Sequence, residues 1–363
     1  MNSLAEKDLT KKNTLHWQSV MQFVLSLLGI VFFWTFSITL ITIGIMQRFF
    51  DAFSTVNSLQ PFLLAAGFAL SGILLIPSAS YSFMRLFGGS IPFIPKDLHY
   101  IRPSIIIYIL PLVLVLGQWV SQQENIAWLF LPFIHILAIG LPILWVTYLG
   151  RRYLPTGSAQ RAWGAFSSGM VLAPLLILLV ELMAMFFMAL MAAIWISNQP
   201  SLLEQINSLA NQLRYRQVTP ETVTKMIALY FTRPGVVFSV LTFGAVLVPL
   251  IEELIKPMGI WLLARKRLSP AEGFTIGVLS GAGYALFESL TLTSTSDGWL
   301  LLVSARIGTA VIHIFTAGLT GWALATAWHR GSYWHLSLSY ISAVAIHALW
   351  NGVTLLAVIT GLL

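Results

Sequence analysis

Nine times along this sequence the chain stays apolar for about the length of a bilayer crossing. The runs fall at roughly 19–46, 60–80, 104–120, 127–149, 164–196, 236–264, 271–292, 300–327 and 337–360. A helix crosses the ~30 Å hydrocarbon layer in about 20 residues. Only helices satisfy the backbone in runs of this kind, because a barrel needs shorter, alternating segments. The expected fold is therefore all-α, a polytopic membrane protein of about nine transmembrane helices. The third run is short and the first and fifth are overlong, which predicts tilt or interfacial extensions. Composition agrees: 57% of the 363 residues are hydrophobic and only 9% charged, against about 25% charged in a soluble domain. Tryptophans such as Trp128, Trp163 and Trp334 sit near run ends and read as interface anchors.

The polar start, MNSLAEKDLTKKNTLHWQ, has no signal-peptide core, so the first span is expected to remain in the mature protein. The net charge of +7 lies in short tracts between apolar runs, which points to a membrane surface and away from nucleic acid. With the N-terminus inside, the inner tracts hold Lys7, Lys11, Lys12, Arg85, Lys96, Arg102, Arg151, Arg152, Arg161, Arg265, Lys266, Arg267 and Arg330. The outer tracts hold Arg48, Arg214, Arg216, Lys225 and Arg233. Thirteen against five fits the positive-inside rule with the N-terminus in and the C-terminus out. The chain has no cysteine, so disulfides, thiolate nucleophiles and Cys-ligated metals are excluded.

Residues 197–235 form the one long extramembrane segment after the start. Leu202, Leu203, Ile206, Leu209 and Leu213 stand at helical spacing there, and Thr219-Pro220-Glu221-Thr222 reads as a second helix start. Two surface helices are expected, with an interfacial lid or substrate-contact element as the sharper alternative. The 81–103 segment, with Pro92, Pro95 and Pro103, reads as a stiff inner loop. A coarse division follows: 1–235, an N-terminal region of about five spans plus the outer segment, and 236–363, a four-helix core.

That core concentrates the unusual residues. Glu252, Glu253 and Lys256 stand in the sixth run, Glu288 in the seventh, Arg306 and His313 in the eighth, and His347 in the ninth. An ionised side chain at the bilayer centre costs at least ~2.5–3.5 kcal/mol, so such groups turn inward, pair, or line water. Glu252 and Lys256 are four apart and Glu253 and Lys256 three apart, so all three share one helix face. Arg306, Thr309, His313, Thr316 and Thr320 form a second stripe. His347 and Asn351 form a third, and Gly277, Gly281 and Gly283 give a small-residue face for close packing. Elsewhere, His135 reads as helix glue, and Glu181 as structural or part of a substrate path.

Such stripes, turned toward one another, suit hydrolysis. Two adjacent carboxylates in low dielectric share or retain a proton, which equips one as a general base or acid. Lys256 can hold the other ionised, and a histidine or an Asn amide can stabilise an oxyanion. Alternatively, His313, His347 and one or two glutamates could ligate Zn²⁺, which accepts His₂Glu plus water. No HExxH occurs.

Four boxes in order resemble the PrsW family of intramembrane proteases and, more distantly, the CAAX-endopeptidase-like glutamate proteases. They are Glu252-Glu253-Leu254-Ile255-Lys256, the segment GVLSGAGYALFES with Tyr284 and Glu288, RIGTAVIHIFTAGLTG from Arg306, and HALWNG from His347. They cover about 245–355. The resemblance implies a multi-pass protein of the cell membrane, a bacterial plasma membrane, that cleaves membrane-anchored proteins. Its partners would then be a membrane-anchored protein substrate and membrane lipids, with no nucleic acid. It implies that Glu252 activates water, that Glu253 and Lys256 orient it, that Glu288, His313 and His347 complete the site, and that Asn351 assists the oxyanion. Arg306 reads as a structural clamp.

The expected mechanism is a metal-free, glutamate-activated water with no cofactor, placed ahead of a Zn²⁺ site at Glu252, His313 and His347. Along the helices, Glu252 falls near mid-membrane, ~24 Å from its outer end, whereas Glu288 falls ~25 Å from its inner end, close to the outer surface. Glu288 is therefore ranked below Glu252, His313 and His347, as a candidate entrance residue. The competing functions are a proton-coupled secondary transporter, for which Pro257 offers a helix break, and a catalytically silent scaffold.

Overall fold

A computed structural model describes residues 16–50, 59–94, 104–215, 228, 231, 233–264 and 266–362. Ten helices organise them. We number them α1 (Trp17–Phe49), α2 (Leu59–Leu86), α3 (Ser104–Ser121), α4 (Glu124–Arg151) and α5 (Ala159–Ser197). Then follow α6 (Pro200–Tyr215), α7 (Pro234–Trp261), α8 (Pro270–Thr291), α9 (Gly298–Arg330) and α10 (Tyr333–Leu362). Among the described residues the one β feature is an isolated antiparallel bridge between Phe93 and Ser158. The protein is an all-α, multi-pass integral membrane protein, which places it in a cell membrane.

Seven helices, α1, α2, α4, α5, α7, α9 and α10, are long and apolar enough to cross a bilayer. The other two expected spans are present as helices but fall short of that standard. Eighteen-residue α3 is apolar but brief. Helix α8 has the length, but its glycines, serines and two glutamates dilute its hydropathy. The expected outer helix over Leu202–Leu213 is α6. The helix start at Thr219–Thr222, and the tracts 1–15 and 95–103, lie outside the described residues.

The dilution of α8 reflects its position. It packs against α2, α4, α5, α7 and α9, and it is buried almost without interruption from Gly273 to Leu290. A helix wrapped by protein has no need to be soluble in lipid. The apolar α5 is the converse case, with only 6% of its most apolar window buried against 44% for α9. Leu182, Met183, Phe186, Phe187 and Met191 of α5 are all exposed. In lipid, apolar side chains gain little by meeting one another, so close packing of small residues carries the assembly.

The small residues of α8 serve two partners. Gly273, Gly277 and Gly281 face Gly321, Ala317 and the His313 backbone of α9. Gly283 instead faces Phe166 and Met170 of α5, so the single small-residue face expected from sequence is split between two neighbours. Helix ends are set locally. Ser269 and Glu272 form a capping box at the start of α8. Gly331, at φ 67°, ends α9 in the left-handed conformation and lets α10 turn back.

A methyl group at Gly281 would stand 2.6 Å from the His313 carbonyl oxygen, whereas one at Gly352 would meet nothing nearer than 3.7 Å. We expect Gly281→Ala to cost about 1–3 kcal/mol by overpacking and to lower the thermal unfolding midpoint in detergent. Gly352→Ala should leave that midpoint nearly unchanged.

Candidate active site

Three prolines shape the backbone that carries the polar residues. Pro249 has no N–H to offer the carbonyl four residues back, and its ring crowds that turn. The preceding segment Thr242–Leu247 is widened into a π-turn, with the Val248 N–H bonded to the Phe243 carbonyl. Pro174 follows a matching π-turn at Ser168–Leu172 in α5. Such turns inside α-helices are frequent at functional sites. Pro257 then breaks α7 directly after Lys256.

Side chains from neighbouring segments satisfy the groups freed by the break. The Ser280 hydroxyl donates to the Lys256 carbonyl at 2.7 Å and accepts from the Gly259 N–H at 3.2 Å. The Trp261 indole donates to the Leu254 carbonyl at 2.9 Å. Irregular backbone at this depth is tolerated because protein covers it.

Glu252, Glu253 and Lys256 enter the core on the last turn before that break, and all three are buried. The Lys256 ammonium lies 2.6 Å from Glu253 Oε1, 2.7 Å from His313 Nδ1, 3.2 Å from Glu252 Oε2 and 3.4 Å from His347 Nδ1. Its Nζ also sits 5.4 Å from the centre of the Tyr284 ring. Burying this charge without partners would be costly, and the two carboxylates meet that cost.

Each imidazole is held from behind by a carboxylate. His313 Nε2 lies 2.8 Å from Glu288 Oε2, and Glu288 is clamped by Arg306 at 2.5 Å. His347 Nδ1 lies 2.9 Å from Glu253 Oε1. From these partners we assign the protons: His313 donates through Nε2 and accepts from Lys256 at Nδ1, and His347 donates through Nδ1. His347 Nε2 then presents its lone pair to Glu252 Oε2, 3.9 Å away. The two rings stand 4.9 Å apart, edge to face.

Glu252, His313 and His347 thus each offer a ligand atom, all within 4.8 Å of one another. The donors fit a divalent metal on three counts. Glu252 Oε2 is buried and, among the described residues, is met by the Lys256 ammonium at 3.2 Å without a further hydrogen bond. His₂Glu is a zinc donor set. Both imidazoles carry the carboxylate support that metal-ligating histidines use. Lys256 is the internal competitor, because its ammonium takes the same His313 lone pair.

The other expected residues are placed as follows. Glu288 is not set apart at the outer surface: the His313 ring bridges the two depths, with Lys256 at one nitrogen and Glu288 at the other. Counting rise along separate helices missed this bridging. Arg306 is buried, clamps Glu288 and donates to Ser289 Oγ. Asn351 is committed elsewhere, donating to the Gly244 carbonyl at 3.0 Å inside the π-turn of α7. His135 accepts from the Trp299 indole at 3.2 Å, joining α4 to α9. Glu181 stands one turn beyond Ile177, which packs in the cluster around Tyr284, and its buried Oε1 has no hydrogen-bond partner. Tyr284 and Ser280 were not among the expected site residues. Tyr284 stacks edge-on against His313 at 5.2 Å, and its ring centre lies 5.4 Å from the Lys256 ammonium. Their spacing held the signal, since Ser280, Tyr284 and Glu288 are successive i,i+4 positions on one face of α8.

A multi-pass helical fold enclosing a buried Glu/His cluster is an arrangement able to support hydrolysis within the membrane. Comparison with protein families gives the relationship: residues 219–363 match the PrsW family, described as intramembrane metalloproteases. That stretch, spanning α7 to α10, is homologous to the PrsW intramembrane proteases. Neither the curated proteins nor the solved structures include a match to this chain. The description of the family and the Glu252–His313–His347 cluster overturn one expectation. Glutamate-only catalysis does not take precedence over metal dependence. The physical reason is that two carboxylate-backed imidazoles converge on a buried carboxylate oxygen, a donor set that can serve an ion.

Removing the Lys256 charge leaves two buried carboxylates without their cation, so Lys256→Met should destabilise the metal-free protein by roughly 3–5 kcal/mol. Asn351→Ala removes one interhelical hydrogen bond and should cost only about 1 kcal/mol. Unfolding midpoints of the two variants in the same detergent check the order.

Proposed function

We propose that the chain is a metal-dependent intramembrane endopeptidase that hydrolyses peptide bonds of membrane-anchored proteins. The observation that carries this reading is the meeting of Glu252, His313 and His347 in a buried site, each imidazole backed by its own carboxylate. These three residues would hold the ion, and a bound Zn²⁺ would supply Lewis-acid polarisation and a water acidified toward neutral pH.

The rest of the chemistry falls to the chain itself. Glu253 is held by Lys256 and His347 through Oε1, while its Oε2 is buried and unpartnered. Glu253 Oε2 accepts the proton released by the attacking water and returns it to the leaving amine as the C–N bond breaks. The Lys256 ammonium favours the negative charge that develops on the carbonyl oxygen. Arg306 and Glu288 fix the His313 ring, and Tyr284 packs edge-on against it. The Pro257 break interrupts α7 just past these residues, and the facing helices close around them.

We also propose nine spans, with α3 and α8 added to the seven apolar helices, the N-terminus inside and the C-terminus outside. Support comes from one end of the bundle, where the starts of α1, α5 and α8 meet the ends of α2 and α7 around a shared cavity. The cations Arg85, Arg161 and Lys266 gather at that end. In this reading 1–235 forms the N-terminal membrane region and 236–363 the catalytic core. Membrane-anchored proteins and membrane lipids are its partners.

Reconstitution with candidate single-pass substrates provides the test. Glu252→Gln, Glu253→Gln and His313→Ala should each lower the cleavage rate by about 10²–10⁴-fold. Chelation should abolish cleavage by the natural protein, and Zn²⁺ should restore it. Full activity after exhaustive chelation would refute the metal-dependent reading, and proton-driven solute flux without proteolysis would replace it. For the orientation, the absence of cysteine allows single-cysteine labelling. Asn211→Cys should react with an impermeant maleimide on intact cells, and Arg152→Cys only after permeabilisation.

A further inference from the structure

A second polar feature lies away from the Glu/His cluster, at the positively charged end of the bundle. A cavity of about 600 Å³ opens there between the starts of α1, α5 and α8 and the ends of α2 and α7. That volume falls within the usual range of small-molecule sites, roughly 300–1,000 Å³.

Among the described residues, its charges are not balanced from within. The one acid they contribute to the wall is Glu272, and it is occupied twice. It pairs with Arg161 at 2.9 Å and caps α8 by accepting from the Ser269 N–H and hydroxyl at 3.0 Å. Arg85 and Lys266 also line the cavity. Among the described residues, neither of their side chains has an ion-pair or hydrogen-bond partner. Their field reaches across the mouth to His16: burial first, then Arg85 and Lys266, push its imidazole below the ordinary histidine range.

The depth has the opposite character. Leu25, Leu75, Val171 and Leu172 line it. Ser26 and Ser167 also line it, but their hydroxyls each already bond Ser78 at 2.9 Å. Phe93 in the cavity wall is 77% exposed, and Trp17 and Phe87, close in sequence to the lining residues Gln18 and Arg85, are 67% and 75% exposed. Aromatic side chains beside cations mark the headgroup level of a membrane. The site therefore asks for a negative head at the mouth and a hydrocarbon tail below it. A soluble anion would leave the apolar depth unfilled, and a zwitterionic lipid would bring no net charge to Arg85 and Lys266. Basic pockets between transmembrane helices are known lodging places for anionic headgroups.

We propose that this cavity binds an anionic phospholipid, with its phosphate between Arg85 and Lys266 and the upper part of an acyl chain along Leu25 and Leu75. The site is separate from the Glu/His cluster, and its test does not depend on proteolysis.

The test uses the full chain in detergent, with lipid retention followed by native mass spectrometry and stability by thermal unfolding. Phosphatidylglycerol, phosphatidylcholine and inorganic phosphate are the probes. The natural protein should retain phosphatidylglycerol roughly thirtyfold better than phosphatidylcholine, the preference expected from two cations near a headgroup. The Arg85→Gln/Lys266→Gln double variant should lose most of that preference. Arg330→Gln, with an exposed cation outside the cavity, should keep it. Leu25→Trp, which fills the apolar wall and leaves both cations in place, should also lower retention. Inorganic phosphate alone should not raise the unfolding midpoint. Equal retention of the two lipids, or an unchanged preference in the double variant, would overturn the proposal. Stabilisation by inorganic phosphate equal to that by phosphatidylglycerol would overturn it in favour of a soluble anion.

Discussion

A lysine ammonium with no solvent exposure, deep among transmembrane helices, must be neutralised by what surrounds it. Lys256 is met by Glu252 and Glu253 from its own helix and by the His313 Nδ1 lone pair from a second, while His347 on a third is joined through Glu253. Each partner is constrained in turn. His313 must present Nδ1 to the lysine, which leaves Nε2 for Glu288, and Glu288 draws in Arg306. Four helices are tied through one cation. The same arrangement leaves Glu253 Oε2 buried without a partner among the described residues and Glu252 Oε2 beside the Lys256 ammonium, so the network that holds the helices together also keeps carboxylate oxygens available to a bound ion.

The backbone around this network is irregular in ways that three prolines explain. Each removes a donor from a helix, and each resulting fault is covered by a side chain or absorbed by a widened turn. Asn351 bonds Gly244 within the π-turn before Glu252, and Tyr340 reaches the Leu250 carbonyl at 2.7 Å. Ser280 and Trp261 serve the break at Pro257. These contacts join α7 to α8 and α10, so the irregular backbone becomes a means of registering the glutamates against the histidines. The role expected for Asn351 at an oxyanion gives way to this positioning of the helix.

Hydropathy and burial run in opposite directions here. The most apolar helices face lipid, while α8, too polar to pass as a span by hydropathy alone, is central. Its glycines bring α9 close enough for His313 to reach Lys256, and the opposite glycine, Gly283, lets α5 approach from the other side. The cavity at the positive end uses the same geometry, since it forms where five helix termini meet.

The helical membrane class was legible in the sequence, because spans must be long, apolar and helical to satisfy their own backbone in lipid. The i,i+3 and i,i+4 spacing of Glu252, Glu253 and Lys256 was legible too, because it is set within one helix. The stripe from Arg306 through His313 to Thr320 is likewise local. What one chain of letters does not carry is which atom of one helix meets which atom of another. That Glu288 reaches His313, that Asn351 serves a carbonyl, and that Tyr284 joins the site depend on rotation, tilt and breaks in separate helices. The preference for metal-free catalysis went astray for the same reason. A ligand set is defined by the convergence of lone pairs in space, and only the packed helices bring Glu252, His313 and His347 to one point.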